Sequence, residues 1–228
     1  RMRRLRSRIS PNDSAKRFRD LGIDVYFGKA RFLSSDTVDV DGTKLEFKKA
    51  VIATGARPAT PPIEGIHEAG FLTNETVFSL TERPDDFVVV GGGPIGCELA
   101  QAFRRLGSNV TLIEMAPQFL SREDPDAAEI LLRSMENDGV NVLLNTTVKK
   151  VTVENGKKII HAVHDGNVIH IPADQILLGV GRIPNVDNLG LDEVGVKYSQ
   201  QRGVEVNDRL QTTNPRIFAA GDVCLKYK

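Results

Sequence analysis

Gly91, Gly93 and Gly96 stand in the spacing G-x-G-x-x-G, and a carboxylate, Glu114, follows about twenty residues later. Glycines in that spacing carry dinucleotide chemistry when a strand leads into them and a helix leads out. Gly91 would make the tight turn, Gly93 would let a pyrophosphate reach the backbone, and Gly96 would let the helix lie close to the strand. Gly92, Pro94 and Ile95 complete the turn, and the positive amino end of the helix would face the phosphates. Glu114 would accept hydrogen bonds from an adenosine ribose and repel a 2′-phosphate, so NAD(H) is expected over NADP(H). Arg122 could still hold such a phosphate. The bland alternative is a glycine turn that holds no ligand.

The flanking sequence supplies the required context. Phe87–Val90 is a continuous apolar run, as in a parallel strand buried on both faces. After the glycines, Leu99, Ala100, Phe103 and Leu106 recur at helical spacing and stop at Gly107, and the strand Val110–Ile113 delivers Glu114. Asp124-Pro125 opens a second helix that ends by Gly139, and residues 140–144 form a third strand. Residues 148–171 alternate around Asn155-Gly156 and Asp165-Gly166, which predicts an antiparallel meander before the buried strand Ile176–Leu178. An earlier small meander is expected from residues 25–27, 37–40 and 44–47, the last two joined at Asp41-Gly42. A buried strand at 50–53 ends at Thr54-Gly55, and a final strand from Arg216 delivers Asp222.

Composition excludes several classes. In 228 residues, 30 Lys+Arg balance 30 Asp+Glu, which removes the electrostatic case for nucleic acid as main partner. A 40% hydrophobic and 26% charged chain is neither disordered nor a coiled coil, and no apolar run is long enough to span a membrane. Arg1, Arg3, Arg4, Arg6, Arg8, Lys16, Arg17 and Arg19 face only Asp13 and Asp20, which reads as a solvated helix face rather than a targeting segment. Cys97 and Cys224 are too few for a disulfide framework, fit a reducing compartment such as the cytoplasm, and read as small buried hydrophobes. His161 and His164 fall three apart on a strand, hence on opposite faces, and no metal site is expected.

Four segments occur in one characteristic order: Ala53-Thr54-Gly55, residues 91–98, the run from Gly179 to Asn185, and the run from Asn214 to Asp222. Together they resemble the pyridine nucleotide-disulfide oxidoreductases, and residues 98–107 look most like the mercuric reductase branch of that family. The resemblance covers the whole chain. It implies an α/β fold in which a Rossmann-type NAD(P)-binding domain, residues 76–195, is inserted in a partial FAD-binding domain made of residues 1–75 and 196–228, with antiparallel β-meanders. It implies that Asp222 bonds the flavin ribityl chain beside Gly221, that Ala30 lies near the FAD adenosine, and that Thr54 and Gly55 line the flavin site. Glu98 would pair with a lysine beside the flavin and so support hydride transfer, Gly181 would touch the nicotinamide nucleotide, and Val148 would line the adenine pocket. Pro94 departs from the aromatic gate that some members place over the nicotinamide.

The family's first glycine fingerprint, its C-x-x-x-x-C redox pair and its carboxyl-terminal dimerisation domain are not in these residues. The resemblance therefore implies an internal part of a longer, homodimeric flavoenzyme that carries electrons from NADH through FAD to a disulfide, to a metal ion such as Hg(II), or to another small acceptor. By itself the chain is expected to lack a complete catalytic set, to bind FAD weakly or not at all, and to act as a module that binds NAD(H) without turnover. A simple dehydrogenase needs an acid–base group and a substrate domain, and neither is visible.

Overall fold

The computed structural model describes residues 2–224, which form two compact units. One comprises Pro58–Arg182, and the other runs to Arg57 and resumes at Ile183.

The unit Pro58–Arg182 is built on a parallel sheet whose strands lie in the order Gln175–Leu178, Asp86–Val90, Asn109–Ile113, Asn141–Leu143. Helix Pro94–Arg105 connects the second and third of these strands, and helix Pro125–Asn137 the third and fourth. Alternation along the strands feeds two cores. Phe87, Val89, Leu112 and Leu177 pack with Cys97 and Ala100 of the first helix and Ala128 and Met135 of the second. Val88, Val90, Ile113, Ile176 and Leu178 pack instead with Val151, Ile160, Ala162 and Ala173. The latter four belong to an antiparallel meander, Thr146–Glu154, Lys157–His164 and Asn167–Ala173. Both faces of the parallel sheet are thus covered, which is why its strands read as unbroken apolar runs. Each Val, Leu, Ile, Phe or Met side chain buried this fully contributes about 1.5–3 kcal/mol. The meander turns at Asn155-Gly156 and Asp165-Gly166, where all four residues take positive φ, the geometry of the two-residue hairpin turn.

The other unit holds a parallel pair, Ala50–Ile52 with Ile217–Ala219, and an antiparallel meander, Ala30–Ser34, Thr37–Val40 and Thr43–Glu46. Its core joins Phe32 and Ile52 to Val186, Leu191, Val194, Val204, Ile217, Ala219 and Val223. Residues 25–27, expected as a strand, are not one: Phe27 is 77% exposed, and no neighbouring strand supplies the ladder that extended backbone needs. The basic amino-terminal segment forms the helices Met2–Ile9 and Ala15–Asp20, separated at Pro11, and the side chains of residues 3–12 are exposed.

The units divide earlier along the chain than the expected domain boundaries at 75/76 and 195/196. Leu72 N–H donates to Ile176 O and Leu178 N–H to Leu72 O, so residues before 75 join the parallel sheet. After 182, Val186, Leu191 and Val194 already belong to the core of the other unit.

Candidate functional site

The strand Asp86–Val90 runs into Gly91, whose φ of +110° suits glycine. A Cβ there would lie 2.5 Å from Gly179 O, while one at Gly96 would lie 1.9 Å from Gly91 O. Both glycines are therefore demanded by the protein's own packing. Gly93 differs. It caps the helix with φ −80° and ψ 177°, values open to any residue, and a Cβ there would meet only Gly179 O at 4.0 Å. Nothing in the protein requires glycine at 93, and the space a side chain would take is open to a ligand. Pro94 occupies the first helical turn, where a missing N–H costs nothing. The N–H groups of Ile95 and Gly96 precede the first intrahelical bond, from Cys97 N–H to Gly93 O, and sit at the positive end of the helix dipole.

Glu114 is drawn into this turn. Its Oε2 accepts from Gly92 N–H at 2.6 Å and its Oε1 from Ala116 N–H at 2.8 Å. Leu120 N–H donates to Gly92 O at 3.2 Å, so the loop after Glu114 folds back over the glycines, with Phe119 buried beneath it and Leu120 at φ +48°. Nothing in the sequence marks this closure, because Phe119 and Leu120 belong to no motif. Glu114 N–H also donates to Leu143 O, and Thr146 N–H to Glu114 O, so the strand that carries Val148 starts beside the Glu114 backbone. Val148 is half-buried and packs on the meander side of the sheet. Arg122 is exposed. Glu98 is exposed on the helix and makes no ion pair among the described residues. Gly181 takes φ +112° with no atom within 4 Å of a Cβ placed on it, and its carbonyl accepts from Ala59 N–H.

In the other unit, Thr54-Gly55 and Gly221-Asp222 follow the carboxyl ends of the two parallel strands Ala50–Ile52 and Ile217–Ala219, where ligands of α/β sheets bind. Ala220 N–H donates to Ile52 O, tying the two ends together. Asn185, whose place in the run from Gly179 gives no sign of this role, laces the first of them. Its side-chain amide donates to Thr54 O at 3.0 Å, its backbone N–H donates to Gly55 O, and its carbonyl accepts from Thr54 Oγ1 at 2.7 Å. Arg57 holds the Asn185 amide oxygen and pairs with Asp187. Ala30 is exposed at the start of the meander, opposite Val40.

Burial pushes the Cys97 thiol up to about 12, and its Sγ donates to Gly92 O at 3.4 Å. Burial raises the Cys224 thiol as well. Neither is a thiolate near neutral pH, so neither is a nucleophile. His161 and His164 diverge as alternation requires. His164 Nδ1 is held between Thr146 Oγ1 and Leu144 O, whereas His161 Nε2 lies 2.9 Å from Thr152 Oγ1. Among the described residues no cluster of three or more His, Cys, Asp or Glu could hold a metal ion, and no helix is long and apolar enough to cross a membrane.

The pattern of the pyridine nucleotide-disulphide oxidoreductase family matches residues 8–228. The chain is 39% identical to a mercuric reductase of Staphylococcus aureus, over 90% of this chain and 38% of that protein. It is 35% identical to a dihydrolipoyl dehydrogenase of Acholeplasma laidlawii, over 90% of this chain and 60% of that one. It superposes on the HOCl-induced flavoprotein disulfide reductase RclA from Escherichia coli with a TM-score of 0.88 at 30% identity, covering 99% of this chain and 52% of that structure. The chain thus spans less than two thirds of each of these relatives. The match runs through both units and includes the glycine turn, Glu114 and both strand ends, and the chain belongs to the pyridine nucleotide-disulphide oxidoreductases.

Proposed function

We propose that the unit Pro58–Arg182 binds NAD(H) and that the strand ends of the other unit form one wall of an FAD site. Both would serve an enzyme that carries electrons from NADH to a disulfide, to Hg(II) or to another small acceptor. The observation that carries this reading is the open cradle at Gly93, set on a helix amino end and flanked by the Glu114 carboxylate. Pyrophosphate oxygens fit the N–H groups of Ile95 and Gly96, and Glu114 fits a ribose diol. The exposed Glu98 lies one turn into the same helix, where it can hold a cation close to the nicotinamide end. Gly181 leaves room for that end of the nucleotide, and Val148 offers an apolar surface to the adenine. Thr54, Gly55, Gly221 and Asp222 suit the flavin, with Ala30 toward its adenosine. When bound, the flavin would take two electrons as hydride and pass them on. The protein's part is to fix the nucleotide and exclude water.

A second reading applies to the chain as it stands: an NAD(H)-binding module without turnover. The two cysteines favour it, because both are buried and free, and neither forms a disulfide that could receive electrons from a flavin. Calorimetric titration with NADH and NADPH, together with the visible spectrum before and after anaerobic NADH, tests both. NADH is expected to bind more tightly than NADPH. In Glu114→Ala the NADH affinity should fall by roughly tenfold or more, since about 1–3 kcal/mol goes with a charged acceptor, and the preference should narrow. Equal affinities for the two nucleotides in the unmodified chain would sink the role of Glu114, and bleaching of a retained flavin by NADH would sink the binding-only reading.

A further inference from the structure

The outer face of the meander Thr146–Ala173 carries a pair of imidazoles that the chemistry above does not use. His161 and His170 stand directly opposite each other on adjacent strands, with ring centroids 4.7 Å apart and ring planes at 82°. Ile160 and Ala162 are buried, so alternation turns His161 outward, and His170 is exposed. His164, three residues on and therefore on the opposite face, has its ring already engaged with Leu144 and Thr146.

Behind His161 lies a polar relay. Thr152 Oγ1 sits 2.9 Å from His161 Nε2 and donates to Glu154 Oε1 at 3.0 Å. A hydroxyl has one proton. With that proton on Glu154, the hydroxyl accepts from His161 Nε2–H, which fixes the tautomer and leaves a lone pair on Nδ1. Carboxylate, hydroxyl and imidazole in series is the kind of outer support that orients a metal-binding histidine. His170 makes no hydrogen bond among the described residues, so its ring is free to turn.

We propose that His161 and His170 form a two-imidazole site for a late first-row divalent cation, with water completing the coordination sphere. Neutral imidazole suits Zn(II), Ni(II) and Cu(II), and the affinity order of such ions places Cu(II) highest. Two nitrogens sharing one ion at about 2.0 Å stand roughly 3 Å apart. The ring centroids lie 4.7 Å apart, and rotation of the exposed His170 ring is the movement that would bring its nitrogen to that separation from His161. Thr152 is a positioning residue, acting through His161.

The test titrates the full chain with Cu(II) alone, in a buffer that does not chelate it, and follows heat and the electron paramagnetic resonance spectrum. One equivalent should bind with hyperfine coupling from two imidazole nitrogens. His161→Asn and His170→Asn should each weaken binding at least tenfold and reduce the coupling to one nitrogen, while His164→Asn stays within twofold. Thr152→Val should weaken binding several-fold, and Thr152→Ser, which keeps the hydroxyl, should restore it. The proposal is overturned if the His161 and His170 variants bind like the unmodified chain, or if His164→Asn costs as much as His170→Asn.

Discussion

Within one fingerprint, the fold itself requires glycine at 91 and 96, whereas only the proposed ligand would require it at 93, and single substitutions separate the two cases. Gly96 is required by the fold: a Cβ 1.9 Å from Gly91 O, a backbone atom, cannot be relieved by rotating a side chain. Gly96→Ala should cost on the order of 3 kcal/mol or more, read as a lower urea midpoint. Gly93→Ala places its methyl in open space, so the urea midpoint should hardly move, while NADH affinity should drop at least tenfold, about 1.4 kcal/mol. A Gly93→Ala chain that binds NADH normally would show that the pyrophosphate does not approach the backbone there. Glu114 combines both kinds of role, because its carboxylate braces Gly92 and Ala116 as well as facing the proposed ribose. Its substitution therefore moves stability and binding together, and only the Gly93 result isolates the ligand.

At the scale of elements, what was readable in the sequence was what is local. The strand, glycine turn and helix from Asp86 to Arg105 follow from adjacent residues, and so do the hairpins at Asn155-Gly156 and Asp165-Gly166. Residues 25–27 carry the same strand-like composition and form no strand, since a ladder needs a partner that composition does not reveal. The lacing of Thr54 by Asn185, the closure at Leu120 and the opposition of His161 and His170 all depend on register or on contacts between distant residues. One such contact ties the meander to the parallel sheet and predicts a pH dependence. Lys157 Nζ lies 2.6 Å from Asp86 Oδ2, and this hydrogen bond, helped by one from Asn109, holds the Asp86 carboxyl below its usual range. A carboxyl lowered in the folded state adds stability at pH above its unfolded value near 4, and that stability is lost as the pH falls through the folded value. Lys157→Met should therefore lower the urea midpoint at pH 6, and the difference from the unmodified chain should shrink progressively as the pH falls below about 4. A loss that does not shrink with falling pH would mean that the lysine stabilises by packing its stem rather than by charge.

For the whole molecule, the two units have separate cores, and the proposed nucleotide contacts from Gly91 to Gly181 fall within Pro58–Arg182 alone. A ligand that binds only the folded form of one unit stabilises that unit by RT ln(1 + [L]/Kd), about 2.7 kcal/mol at a hundredfold excess over Kd. Hydrogen exchange followed by mass spectrometry with and without NADH reads this segment by segment. Peptides from Asp86–Val90, Asn109–Ile113 and Gln175–Leu178 should slow roughly a hundredfold in the regime where exchange follows the opening equilibrium, while Ala50–Ile52 and Ile217–Ala219 keep their rates. Residues 58–75 decide where the nucleotide-binding domain begins. Leu72 is hydrogen-bonded into the sheet at Ile176 and Leu178, so its peptide should slow with that sheet and assign the segment to the nucleotide unit rather than to the flavin side. If Ala50–Ile52 and Ile217–Ala219 slow as much as Asp86–Val90, the units open as one cooperative body, and the nucleotide's stabilisation is shared across the chain.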